Sequence, residues 1–228
     1  MRNTVVFQPA TISLTAGSGA FGSWVSAGTP AAPVDFVYAT FIVAATGNFF
    51  VQVGYGATPN IVHEGFFIAN TGSPPMAIPV FCPAGQEIQF RAGGGAAVTI
   101  DVSVVGFSYG VGGGVRGSQI LLSPGLSPAA FFIGTAVGGT SVLMGSQVVP
   151  IRKFWLNFQP QQVPTQFDIA YGASTSAMTN VLTNILVSST AGYPPQLNEY
   201  DMEVPPGNNI YITNVLQNEA YGSLNALI

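Results

Sequence analysis

The chain has 228 residues, 48% of them apolar, enough for one large domain or two of ordinary size. Only 6% are charged, and nine acids, five bases and one His leave a net charge of −4, where an ordinary soluble domain is about 25% charged. That balance provides no basic patch to release counterions from a nucleic acid, and no uninterrupted apolar run of about 18 residues offers a membrane span.

Helix signals are nearly absent. Gly (28) and Pro (17) punctuate the chain, with Val, Ile, Phe, Thr and Tyr between them, which is the pattern of short strands and tight turns. The opening "MRNTVVFQPATISL" carries one Arg and no continuous apolar stretch, so no secretory signal is expected. In "VQVGYG", Val51, Val53 and Tyr55 share one face while Gln52 and Gly54 point the other way. In "QEIQFR", Ile88 and Phe90 oppose Glu87, Gln89 and Arg91. In "TIDVSVV", Ile100, Val102 and Val104 alternate with Asp101 and Ser103. Next comes "YGVGGGVRGS", Tyr109 to Ser118, whose Gly content predicts a linker. "AMTNVLTNILV" predicts a strand flanked by turn, and "TNVLQNEAYGSLNALI" is ambiguous between helix and strand. Strands at this spacing predict an all-β architecture of antiparallel sheets, a sandwich or barrel.

Several phrases recur in order. Tyr55-Gly56-Ala57 matches Tyr171-Gly172-Ala173, Pro74-Pro75 answers Pro194-Pro195, and Pro83-Ala84-Gly85 answers Pro205-Pro206-Gly207. "TISLTAGSGAFGSWVSAG" has a looser echo in "QILLSPGLSPAAFFIGTAVGG". Shared anchors in one order predict an internal repeat: two tandem antiparallel β-sandwich, jelly-roll-like modules at 1–110 and 118–228, joined by a linker at 111–117. Pro fixes φ and Gly supplies the positive φ that closes each reversal.

Groups that carry chemistry are few. His63-Glu64 sets the one His beside an acid; without a nucleophile motif a surface loop residue is expected. Cys82 stands alone between Phe81 and Pro83, which excludes an intrachain disulfide and predicts a buried small hydrophobe. "GGGVRG", Gly112 to Gly117, fits a dinucleotide-binding string, but the strand-like "SQILLSP" follows where a helix is required. Glu199, Asp201 and Glu203 would share one face of a strand. Three hard oxygens suit Ca²⁺; a charged strand face that resists edge pairing is the preferred reading. Arg152 or Lys153 docked against the acids would relieve their crowding. Trp24, Trp155, Tyr193 and Tyr200 are the candidates for stacking on sugars, with core packing as the alternative. No zinc spacing, paired catalytic carboxylates or phosphate loop occurs, so neither catalysis nor a cofactor is expected.

The two sandwich modules, the low charge, the Met start, and Y-G-A followed later by P-x-G-x-x-I-x-(F/I) at Pro83–Phe90 and Pro205–Ile212 resemble structural proteins of tailed-bacteriophage virions. The resemblance covers nearly the whole chain. It implies a jelly-roll or tumour-necrosis-factor-like sandwich, often trimeric, assembling with copies of itself and with virion proteins such as the major capsid protein. A capsid cement or decoration protein is the role expected. A tail or fibre component that recognises a carbohydrate receptor is the alternative. The second module ends in "NEAYGSLNALI", shorter and more polar than "TIDVSVVGFSYG", so its last strand is expected to be missing or supplied by a neighbour.

Overall fold

Alternating sequence becomes strand across the described residues. The computed structural model describes residues 4–7, 11–43, 49–64, 76–108, 119–122, 141–160, 165–187, 196–215 and 220–227, and none of these is helical. The chain divides into two compact units, Met1–Gln119 with Ser127–Ala129 and Ile120–Leu126 with Ala130–Ile228. The linker expected at 111–117 lies outside the described residues.

The first unit contains β1 (Thr4–Phe7), β2 (Ile12–Thr15), β3 (Gly17–Ser18), β4 (Val25–Gly28), β5 (Val34–Val43), β6 (Phe49–Tyr55), β7 (Asn60–Glu64), β8 (Met76–Cys82), β9 (Ile88–Gly94) and β10 (Thr99–Ser108). One sheet runs β1-β10-β5-β8, with β2 also on β10, and the other runs β3-β9-β6-β7, with β4 also on β9. Pairing is antiparallel apart from the two-residue contact of β3 with β9. One edge of each sheet is therefore shared by two short strands, β1 and β2 on β10, and β3 and β4 on β9. The chain passes from one sheet to the other at Ala16, which is fully buried and donates its N–H to Val98 O at 2.8 Å. The inward residues of both sheets fill one core, with Phe41, Ile78 and Ile100 from one side and Phe49, Val53 and Phe90 from the other. Burying each such side chain stabilises by roughly 1.5–3 kcal/mol.

The second unit contains β11 (Gln119–Leu122), β12 (Ser141–Gln147), β13 (Ile151–Pro160), β14 (Thr165–Gly172), β15 (Met178–Val187), β16 (Gln196–Val204), β17 (Asn208–Asn214) and β18 (Ala220–Leu227). Its sheets run β11-β18-β13-β16 and β12-β17-β14-β15. Phe154 and Val204 from the first sheet meet Phe167, Ile169, Ile210 and Ile212 from the second in a separate core. With the two short strands at that edge of each first-unit sheet counted as one position, strand order is the same in both units.

Register agrees as well. Tyr55 pairs with Ile88, and Tyr171 pairs with Ile210. Val34 pairs with Cys82, and the register then slips so that Phe36 meets Pro79. Ile151 pairs with Val204, and the same slip brings Lys153 against Asp201. A β-bulge re-aims the strand that carries it, and here it recurs at one place in both sheets. Gly85 and Gly207, in the turns before β9 and β17, have φ of +77° and +79°.

Two expectations are corrected. The last strand of the second unit is neither missing nor borrowed: β18 pairs with β13 from Lys153↔Leu227 to Pro160↔Ala220. Asn225, Ser223 and Gly222 give it a polar appearance, yet pairing on a central strand overrides weak local propensity. His63 is not on a surface loop. It sits in β7 opposite Val53 and is fully buried, because its place in the register is a core-side place.

Candidate functional site

The most distinctive surface of the first unit is the outward face of the β1-β10-β5-β8 sheet. In β5, Val37, Ala39, Phe41 and Val43 are buried in the core, so alternation turns Phe36, Tyr38, Thr40 and Ile42 outward. Across the ladder Phe36 pairs with Phe107 and Tyr38 with Val105. The Phe36 and Phe107 rings stack at 5.3 Å and 9°, and the Tyr38 ring meets both edge-on at 5.4 and 5.1 Å. Such pairs add about 0.5–1.5 kcal/mol beyond their burial. Val5 on β1 extends the row beside Phe107. Solvent still reaches Tyr38 (38%), Val5 (51%) and Ile42 (56%), whereas Phe36 is buried at 6%. At the far end Asp101 accepts a 2.5 Å hydrogen bond from Ser13 Oγ.

These aromatics were not among the residues that the sequence singled out. The signal was present in "VDFVYATFIV", which is apolar at both parities of the strand, and in the change from Asp101 and Ser103 to Val105 and Phe107 along β10.

The same rows of the second unit have a different character. Lys153 and Asp201 stand where Phe36 and Pro79 stand in the first, and Lys153 Nζ lies 3.1 Å from Asp201 Oδ1. Asp201 and Glu203 are exposed on β16, and Glu199 is paired with Trp155. A basic neighbour thus reaches the acidic strand. β16 is also the last strand in its sheet order among the described residues, where charge resists pairing with another chain. Among the described residues, no three His, Cys, Asp or Glu side chains gather as a metal site.

On the other sheet of the first unit, the segment before β4 lies along β9, with Phe21 bridged to Gly93 and Val25 paired with Phe90. Arg91 comes between. Its Cζ is 4.9 Å from the Phe21 ring centre and 4.6 Å from that of Trp24, and its Nε donates to Gln52 Oε1 at 2.5 Å. Trp24 is therefore already engaged by a cation. Tyr200 pairs with Phe154 and packs on the second core. Trp155 lies on β13 between Glu199 and Asn225 in the register, and Tyr193 lies outside the described residues.

The two side chains with the most chemical reach are directed inward. Burial lowers the His63 pKa to about 3, so the ring is neutral at ordinary pH. Cys82 is fully buried, and its Sγ donates to Pro83 O and Gln86 O at 3.4 Å. Burial pushes the Cys82 thiol up to about 12, so no thiolate nucleophile forms near neutrality.

No protein-family model matches the chain, and no curated protein matches it. Among solved structures, a chain of the T13 viral particle of infectious bursal disease virus is similar at 12% identity and a TM-score of 0.33, over 100% of this chain and 69% of that one. The PBSX exported protein XepA is similar at 8% identity and a TM-score of 0.29, over 100% of this chain and 86% of that one. The N-terminal CBM22-1–CBM22-2 tandem domain of Paenibacillus barcinonensis Xyn10C is similar at 9% identity and a TM-score of 0.24, over 96% of this chain and 87% of that one. All three are distant likenesses.

Proposed function

We propose that the chain is a non-enzymatic structural protein of a virion, built from two jelly-roll modules in tandem (1–110 and 118–228). It acts through contacts with copies of itself and with other virion proteins, and its place is on the head of a phage particle as a cement or decoration protein on the major capsid protein. The observation that carries the reading is an outward sheet face of the first unit almost without charge. The outward face of Val5, Phe36, Tyr38, Val105 and Phe107 has Asp101 and its Ser13 partner at one end, in a chain only 6% charged. Sparse charge limits the desolvation cost of subunit contacts, and repetition over a shell multiplies individually weak contacts. The inward placement of His63 and Cys82 supports a role without catalysis. The test is to add the purified chain to shells that lack it and follow binding and the temperature of shell disruption. Binding with a raised disruption temperature is expected. Absence of binding, with shell stability unchanged, overturns the reading.

A further inference from the structure

We infer that β7 is an acid-operated strand: when His63 takes up a proton, β7 leaves β6 and bares the β6 backbone from Gln52 to Tyr55, while the matching strand of the second unit, β15, stays paired.

The register identifies the matching residues. Counting back from Tyr55, Gly54 pairs with Ile61 and Val53 with His63. Counting back from Tyr171, Ala170 pairs with Asn180 and Ile169 with Leu182. One residue is extra at each slip, Val62 in β7 and Val181 in β15, so this bulge is shared as well. His63 therefore stands where the second unit has Leu182. Val181 and Leu182 pack on the second core. Val62 lies in the first core, and His63 is fully buried beside it. The fold takes an apolar side chain at this place, and the first unit alone fills it with a group that can gain a proton.

The ionisable neighbours are few. β6 carries Tyr55 and β8 carries Cys82. Glu64, next in β7, stands opposite Gln52 in the register, as does Arg91 of β9, and Glu87 precedes β9. Across the sandwich, Asp35 of β5 accepts a hydrogen bond from Ser108 Oγ at 3.0 Å, and Asp101 of β10 accepts one from Ser13 Oγ. Burial outweighs all of them at His63, whose pKa is lowered to about 3. Protonation is relieved by moving the ring into water. β7 is the element that can make that move. It has five residues and is the last strand in its sheet order among the described residues. β6 stays in place because its other side pairs with β9 from Phe49↔Gly94 to Tyr55↔Ile88.

The test is hydrogen exchange on the full chain at pH 7, 5 and 4, with rates corrected for the intrinsic effect of pH on amide exchange. Protection of Asn60–Glu64 should fall with pH, and that of Met178–Val187 should hold. The open form takes up its proton near pH 6.5 and the closed form near 3, so the opening equilibrium should rise by about two-hundredfold between pH 7 and 4. His63→Leu, which copies the second unit, should abolish the rise, and Leu182→His should transfer it to β15. The chain has one His, so ring signals in NMR spectra of the unaltered protein follow its protonation without any variant. They should shift in step with β7 exchange. The inference is overturned by β7 protection that is unchanged down to pH 4, by ring protonation near pH 6.5 with β7 still closed, by the same acid response in His63→Leu, or by loss of protection in both units together. None of these readouts involves shells, so the virion reading stands or falls separately.

Discussion

Gly85 and Gly207 share one backbone conformation, φ +77° and +79°, at the same point of two sheets, and nothing lies within 4 Å of where a Cβ would be added to either. Space is not the constraint at these turns; the left-handed backbone is. Gly85→Ala and Gly207→Ala should each destabilise by about 1–2 kcal/mol, with the Asn variants milder because Asn tolerates that region. Urea melts of the four variants check this. A cost below the measurement error for the Ala variants would mean that the turns relax.

Cys82 and Val204 occupy matching core positions, each opposite the residue before the shared bulge. Cys82→Val should therefore cost less than about 1 kcal/mol, as near-isosteric swaps do. The native thiol should resist aromatic disulfide reagents at pH 8 and react only on unfolding. Rapid native labelling would contradict its burial.

His63 makes stability sensitive to acid. The unfolded chain takes up a proton below about pH 6.5, and the folded chain does not until about pH 3. This contribution is complete above the unfolded value, declines as pH falls from 6.5 to 3, and is flat below that. Over the whole window the loss is on the order of 5 kcal/mol. His63→Leu should flatten this part of the stability–pH curve, whatever its effect on absolute stability. An unchanged slope in chemical melts at a series of pH values would refute the assignment.

Arg91 fastens the segment before β4 to β9 through two rings and Gln52. Arg91→Met should cost about 1–3 kcal/mol. In a Trp155→Phe background, it should also red-shift the Trp24 emission as that ring gains water. Emission at the original wavelength would mean that the segment is held by other contacts.

Much of the architecture is legible in residue order. Alternation at Val51–Tyr55 and Ile100–Val104 names the inward side of β6 and β10, and the Pro-x-Gly phrases fall on the turns before β9 and β17. These signals are local, set by side-chain period and by φ. What escaped depends on partners distant in sequence. β18 is a strand because β13 lies beside it, and His63 is buried because of the register that sets it against Val53. The aromatic face of β5 and β10 escaped for another reason: alternation identifies one side as core, and the apolar residues on the other side had no role assigned by that rule. Charge alone offered Arg152 or Lys153, in this chain or a neighbouring one, as relief for the acids; the pairing of β13 with β16 selects Lys153 and brings it to 3.1 Å from Asp201.

Matching strand order in two units of one chain has a consequence for biosynthesis. Strands with interchangeable partners invite exchange between units while the chain is still emerging, a recognised failure of repeated folds. Here β5 presents Phe36 to Pro79 where β13 presents Lys153 to Asp201, so a strand that docked in the wrong unit would bring a lone ion to an apolar neighbour. Divergence of the outer rows thus makes the native partners distinguishable, because an exchanged strand forgoes either the Phe36 ring contacts or the Lys153–Asp201 ion pair.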